Sequence, residues 1–261
     1  MVSYGNRGVN MTVFMIAGFF VTALLYASVG FGGGSTYTAL LALSGTDYRI
    51  LPFISLVCNV IVVTGGTIRY ARAGLIPWRR VVPLVVASAP LALLGGLTPI
   101  KQPLFMALLG VSLLVAGLLL LLPRAPGGGT VERPANPFVD ALLGGGIGYL
   151  SGLVGIGGGI FLAPLLHLMR WGNARAIAAT ASLFILINSL AGLVGQGIKL
   201  GDAGELLTVT GYWPLAIAVL VGGQIGSWAG ITIFSQTLVR RVTGMLILYV
   251  AIQLLWKTFG S

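Results

Sequence analysis

Residues 150–169 read LSGLVGIGGGIFLAPLLHLM, a glycine cluster set inside an otherwise apolar run, and residues 25–44 read LYASVGFGGGSTYTALLALS in the same register. Laying one on the other places Gly30 on Gly155, and Gly32, Gly33 and Gly34 on Gly157, Gly158 and Gly159. A Gly-x-Gly-Gly-Gly string that recurs between two apolar segments is the mark of a duplicated membrane unit.

The duplication extends outward from the glycines. Arg49 corresponds to Arg175, Ser55 to Ser182, Gly65 to Gly192, and Arg72 with Gly74 to Lys199 with Gly201. Pro83 and Pro214 are read as opening matched fourth segments, and Gly110 and Gly244 lie in the fifth. Residues 1–123 form a first membrane repeat, 124–137 a polar linker containing Pro126-Gly127-Gly128-Gly129, and 138–261 a second repeat. Apolar windows fall at about 11–29, 35–45, 51–68, 81–98 and 103–123, then at 138–154, 160–170, 177–195, 212–234 and 238–256. The run from Met11 to Val29 has an internal counterpart in the second repeat, so it is read as a membrane segment and not as a cleaved signal.

Composition sets the class. The chain is 57% hydrophobic and 8% charged, where a soluble domain carries charge on about a quarter of its residues. It is an all-α polytopic membrane protein. Its single cysteine, Cys58, leaves no disulfide framework, and its single histidine leaves no His-rich metal site. No cofactor is implied. The net charge of +10 is spread through short loops, which orients the chain against the cytoplasmic leaflet and does not point to nucleic acid.

Length decides the topology. The second segment of each repeat reaches only about 15 Å, half the hydrocarbon core. Each glycine unit is therefore read as a short hairpin that enters and returns on one side, followed by three transmembrane helices. Three crossings per repeat turn the second repeat upside down, so the repeats are inverted and both termini lie outside. The charges agree: Arg69, Arg72, Arg79, Arg80, Arg124, Arg133, Arg170, Arg175, Arg240 and Arg241 fall inside, and Arg7, Arg49, Lys101, Lys199 and Lys257 outside. The competing topology has eight ordinary spans in parallel repeats, with the glycines as helix contacts.

The residues then point to an anion. Charged side chains, Asp140 included, fall at segment ends, so the apolar interior offers neither a carboxylate relay nor a divalent metal site. Successive glycines let several backbone N–H groups converge, and a following helix start adds its positive end. Ser35-Thr36 are expected to cap the helix after the first tip, and Pro164 to sit in or near the first turn after the second. Candidate substrate-binding residues are Gly30, Gly32, Gly33, Gly34, Ser35, Gly155, Gly157, Gly158 and Gly159, joined by Asn59, Thr180, Ser182 and Asn188, whose amides and hydroxyls supply neutral donors. Gln196, read near the outer end, and Gln224 are weaker candidates. His167 is expected at the cytoplasmic end of its short helix, and Trp78, Trp171, Trp213 and Trp256 at segment ends as an aromatic belt.

The duplicated glycine units, with the run Arg175-Ala-Ile-Ala-Ala-Thr180-Ala-Ser182-Leu, resemble the sulfite exporter TauE/SafE family, also described as permeases for sulfonates and related sulfur anions. The resemblance covers essentially the whole chain and is looser in the first repeat, where Tyr26-Ala27-Ser28 precedes the tip. It implies transport of sulfite, thiosulfate or an organosulfonate across the bacterial inner membrane, as a multi-pass permease and not an enzyme. A non-transporting membrane scaffold or assembly factor, and an anion channel in place of a carrier, are the alternatives. A homo-oligomer is left open.

Overall fold

The computed structural model describes residues 3–28, 30–122, 136–229 and 236–259. It contains α1 (Ser3–Ser28), α2 (Gly34–Leu43), α3 (Leu51–Arg72), α4 (Trp78–Leu97), α5 (Gln102–Leu121), α6 (Pro137–Val154), α7 (Gly159–Leu168), α8 (Ala174–Asp202), a 3₁₀ segment (Leu206–Tyr212), α9 (Trp213–Ala229) and α10 (Gln236–Phe259), and the described residues include no strand. Residues 124–135 of the linker, with Arg124 and Arg133, lie outside the described residues, as do 230–234 of the expected fourth segment and the side chains of Arg7 and Arg240. Asn136 accepts from the N–H groups of Phe138 and Val139 and so caps α6, which Pro137 opens.

Seven helical stretches among the described residues are long and apolar enough to cross a membrane: Leu51–Arg72, Trp78–Leu97, Gln102–Leu121, Pro137–Val154, Ala174–Asp202, Leu206–Trp228 and Arg241–Phe259. Their polarity is arranged for lipid. Val86, Leu118, Leu142, Val194 and Ile217 face outward, while Ser55, Asn59, Thr180, Asn188 and Gln196 are buried inside. In hydrocarbon, where apolar exposure costs nothing and unpaired polar groups cost several kcal/mol, this is the stable distribution.

Without a hydrophobic drive between helices, close packing holds the bundle. Gly144, Gly148 and Gly152 of α6 rest against the carbonyls of Leu84, Ser88 and Ala92 of α4, and a Cβ on Gly148 would stand 2.5 Å from Ser88 O. The four-residue steps match, so α4 and α6 run the same way. Gly222 and Gly226 of α9 meet the carbonyls of Phe20 and Leu24 in the same fashion, so α1 and α9 also run together. Gly110 meets Leu255 and Gly117 meets Leu248, which sets α5 and α10 antiparallel. Exchanging the two halves reproduces the packing: α1 lies on α9 as α6 lies on α4, α3 pairs with α8, and α5 with α10.

Polar contacts define two ends. At the first, Arg49, between α2 and α3, pairs with Asp47 (2.8 Å) and with Glu205 beyond α8. At the second, Arg80 at the start of α4 donates to Trp171 O and lies 4.2 Å over the Trp171 ring, and Trp171 Nε1 donates to Asp140 Oδ1 at 3.0 Å. The α1–α2 hairpin returns to the Asp47 end, and the α6–α7 hairpin to the Arg80 end.

Three details differ from expectation. The N-cap of α2 is Gly33 and it makes no side-chain bond; Ser35 and Thr36 lie inside the helix, their hydroxyls 3.5 Å and 2.9 Å from Tyr26 Oη. A neighbouring tyrosine oxygen competes with the backbone for those hydroxyls. Pro164 lies in the interior of α7, not its first turn. Pro83 lies inside α4, which begins five residues earlier at Trp78, so of this matched pair Pro214 alone stands near a helix start. Apolar lipid and neighbouring helices tolerate interior proline better than water does.

Candidate functional site

Each glycine unit ends one helix and starts another with little chain between. In the first, Gly30 takes φ +80° while Gly30 N–H donates to Ala27 O (3.2 Å) and Phe31 N–H to Tyr26 O (3.0 Å). In the second, Gly155, Gly157 and Gly158 all have positive φ (+79°, +82° and +78°), a conformation costly for any residue with a Cβ. The matched glycines Gly30 and Gly155 thus share one left-handed turn. Residues 151–160 are all buried, whereas Gly30, Phe31 and Gly32 are half-buried.

The two tips meet at Asn59. This residue lies in the middle of α3 and is fully buried. Its Nδ2 donates to Ile156 O at 3.2 Å. A Cβ on Gly32 would stand 2.5 Å from Asn59 Oδ1, and one on Gly157 would stand 2.5 Å from Asn59 Nδ2. Gly34 packs against both Asn59 Nδ2 and Ile156 O, the latter 2.5 Å from where its Cβ would be. From α8, Ile185 Cγ2 closes on Gly32 and Gly157, and Ser189 Oγ lies 3.1 Å from the Cβ position of Gly157. The second tip's carbonyls are held from the first half: Asn59 takes Ile156 O, and Thr38 Oγ1 lies 3.5 Å from Gly155 O and 2.7 Å from Ser55 Oγ.

With the carbonyls so engaged, the amide N–H groups are the free elements. Among the described residues, no backbone carbonyl accepts from the N–H groups of Gly32, Gly33 and Gly34, or of Gly157, Gly158 and Gly159. These groups stand at the starts of α2 and α7, where the helix dipole is positive. Asn59 Oδ1, Ser189 Oγ, Asn188 Oδ1 and Thr180 Oγ1 are buried without a hydrogen-bond partner among the described residues. Orphaned polar atoms of this kind mark places where a ligand or water belongs. The described residues hold no group of three or more His, Cys, Asp or Glu able to bind a metal ion.

The structure gathers some of the sequence candidates and disperses others. Gly32, Gly34, Gly157 and Asn59 come together, and Gly159 joins them through Ile185. Gly30 lies against Tyr70, Gly33 against Tyr37 and Thr22, Gly155 against the backbone of Pro52, and Gly158 against Phe184, Ile147 and Ser151. Ser35 faces Tyr26, and Ser182 Oγ is 2.8 Å from Thr67 Oγ1, joining α8 to α3. Asn188 is fully buried, and its Nδ2 donates to Phe184 O of its own helix at 2.8 Å. Gln196 is fully buried and ties α8 to α6 by donating to Gly152 O (2.9 Å), while Gln224 is exposed. His167 occupies the last turn of α7.

Sequence reasoning passed over Thr38, Ile185 and Ser189. Ser189 directly follows Asn188 and stands one helical turn beyond Ile185, so a helical-face reading of α8 from the tip-facing side would have found it.

The profile of the family described as sulfite exporter TauE/SafE matches residues 14–254. A probable membrane transporter protein, y4hK, of Sinorhizobium fredii is 33% identical over 241 residues, covering 91% of this chain and 96% of the relative. A probable membrane transporter protein of Xylella fastidiosa is 28% identical over 255 residues, covering 88% and 90%. The probable membrane transporter protein MamO of Magnetospirillum gryphiswaldense is 26% identical over 238 residues, covering 76% of this chain and 37% of that protein. No solved structure matches the chain.

Proposed function

The chain belongs to the sulfite exporter TauE/SafE family of membrane transporters, and from that premise we propose that it moves a small sulfur-containing anion by alternating access about the meeting point of its two glycine tips. The substrate class is small sulfur oxyanions, with sulfite, thiosulfate and organosulfonates as the candidates to be told apart. One observation carries the reading: two glycine tips, whose N–H groups no backbone carbonyl of the described residues claims, meet at the buried amide of Asn59 from opposite halves of the chain. Converging N–H groups at helix starts hold an anion without a fixed positive charge, which keeps affinity modest enough for release.

In this reading Gly32 to Gly34 and Gly157 to Gly159 supply backbone donors, while Asn59 couples the two tips, since it touches both. Residues 1–123 and 138–261 are inverted repeats joined by the cytoplasmic linker 124–137. The same-direction packing of α1 on α9 and of α6 on α4, with hairpins returning to opposite ends, supports that arrangement. The Arg80 end, carrying Arg69, Arg72, Arg79, Arg170 and Arg175, faces the cytoplasm of a bacterial inner membrane, and both termini lie outside. Transport rocks one hairpin and its packed helices against the other, exposing the site to each side in turn.

The test is counterflow in proteoliposomes preloaded with sulfite, thiosulfate, a sulfonate, sulfate or chloride. One sulfur anion should exchange saturably, and Asn59→Ala and Gly157→Val, still folded by thermal melt, should abolish the exchange. Equal flux in those variants, or no exchange of any sulfur anion by the parent protein, would overturn the proposal.

A further inference from the structure

The amide of Asn59 faces a definite way round. Its Nδ2 is bound to Ile156 O at 3.2 Å, and turning the amide over would set two carbonyl oxygens against each other. Asn59 Oδ1 therefore points at Gly32, fully buried, with no donor supplied by the described residues. Beside it, Ser189 Oγ is buried against Gly157, also without a partner. The tips offer N–H donors, and between them stands an acceptor to which none of the described backbone groups is bonded. A ligand made only of acceptors would fill the donors and leave Asn59 Oδ1 orphaned.

The surroundings add no fixed charge. The titratable side chains packed closest are Tyr26 of α1, Tyr37 of α2, and Cys58 and Tyr70 of α3. The ionised or ionisable side chains of the other flanking stretches stand at helix ends: Arg69 and Arg72 on α3, Asp140 on α6, His167 on α7, and Arg175, Lys199 and Asp202 on α8. Among the described residues no cationic side chain stands opposite, and two helix N-termini worth about half a charge each balance roughly one of a dianion's two charges.

Resting on the anion-permease reading above, we propose that this site selects a sulfur oxyanion whose acid group carries one negative charge and which brings its own hydrogen-bond donor to Asn59 Oδ1, and rejects both dianions and monoanions without a donor. Hydrogen sulfite and an aminosulfonate zwitterion share that chemistry. The anionic oxygens take the glycine N–H groups, and the ligand's O–H or N–H fills the acceptor. A site built to pair a polar group discriminates strongly against analogues that lack the partner, because its own buried atom is left unpaired.

The experiment is ligand binding to the purified full-length protein in detergent, read by thermal shift and calorimetry across pH, with sodium chloride and potassium chloride buffers in parallel. The probes are sulfite, an aminoalkanesulfonate, methanesulfonate (one charge, no donor) and sulfate (two charges, no donor). If only hydrogen sulfite binds, its apparent Kd rises about tenfold per pH unit above its second ionisation, because the competent fraction falls by that factor. Aminoalkanesulfonate binding stays flat in that range, and methanesulfonate and sulfate bind at least about tenfold more weakly. Asn59→Leu, where it folds, brings methanesulfonate level with the donor-bearing ligands. Methanesulfonate binding as tightly as sulfite in the parent protein, a pH-independent sulfite Kd, or an absolute sodium requirement overturns this inference and leaves the permease reading standing. Absence of binding by all four probes overturns both.

Discussion

Gly157 gives the sharpest test of the packed tips. Replacing it with alanine does two things that the structure allows to be sized. At φ +82° an L-residue carries about 1–2 kcal/mol of backbone strain. The new Cβ would also stand 2.5 Å from Asn59 Nδ2, 3.0 Å from Ile185 Cγ2 and 3.1 Å from Ser189 Oγ. Asn59 must then withdraw from Ile156 O, and leaving that buried pair unmade costs roughly 1–3 kcal/mol. The two effects together come to about 2–4 kcal/mol, since partial relaxation trades one against the other. For a domain of this size that is a melting temperature lowered by on the order of 5–15 °C. Gly201 is the control. It lies on α8, its φ is ordinary, and a Cβ there would meet nothing within 4 Å, so Gly201→Ala should be neutral or stabilise by about 0.5–1 kcal/mol. The assay is thermal unfolding in detergent for both variants beside the parent, with anion exchange in vesicles. A Gly157→Ala protein that melts with the parent would refute the close approach of the second tip to Asn59.

Other perturbations test the frame around the tips. Gly148→Val should force α6 away from the Ser88 carbonyl, and because overpacking costs about 1–3 kcal/mol it should lower the melting temperature where the same change at open Gly146 should not. Trp171→Phe removes the Nε1 donor from buried Asp140 and should destabilise by about 1–3 kcal/mol, while Trp171→Tyr recovers none of it unless its hydroxyl reaches the carboxylate; thermal melts of the three proteins decide this. At the opposite end, hydrogen bonding to Arg49 holds the Asp47 carboxyl below the usual carboxylate range. A depressed acid contributes stability above its ordinary range and loses that contribution as pH falls through the folded-state value. Asp47→Asn should therefore cost a little at neutral pH, nothing in acid, and nothing at high salt, because the pair is exposed and screened. Melting curves at two pH values and two salt concentrations report it.

How much of this could be read from the chain alone differs between fold and site. Helices in hydrocarbon must satisfy their own backbone, so apolar runs and their lengths give span positions without knowledge of neighbours. That is why the short segments after each glycine string were legible as α2 and α7, and the long ones as α3, α5 and α8. Boundaries were less legible. Pro83 marked a helix start in the sequence and lies inside α4, and Ser35-Thr36 resembled a cap but are engaged by Tyr26, a contact from another helix.

By itself the sequence determined that the chain is an all-helical membrane protein with glycines gathered in two matching strings, because hydropathy and glycine spacing are properties of the chain order. Tertiary structure alone decided which of those glycines matter to one another. Asn59 touches the second tip 97 residues away, and Thr38 reaches Gly155 O across 117. The side of α8 that reaches the second tip carries Ile185 and Ser189, and the Nδ2 of Asn188 is turned back onto its own helix. Such choices follow from the rotation of each helix about its axis, which for α8 is fixed by its glycine seam with α4, where Gly96 meets Gly192 O and Gly195 meets Leu93 O. No local spacing encodes that rotation, since it is the joint solution of many small side chains packing at once.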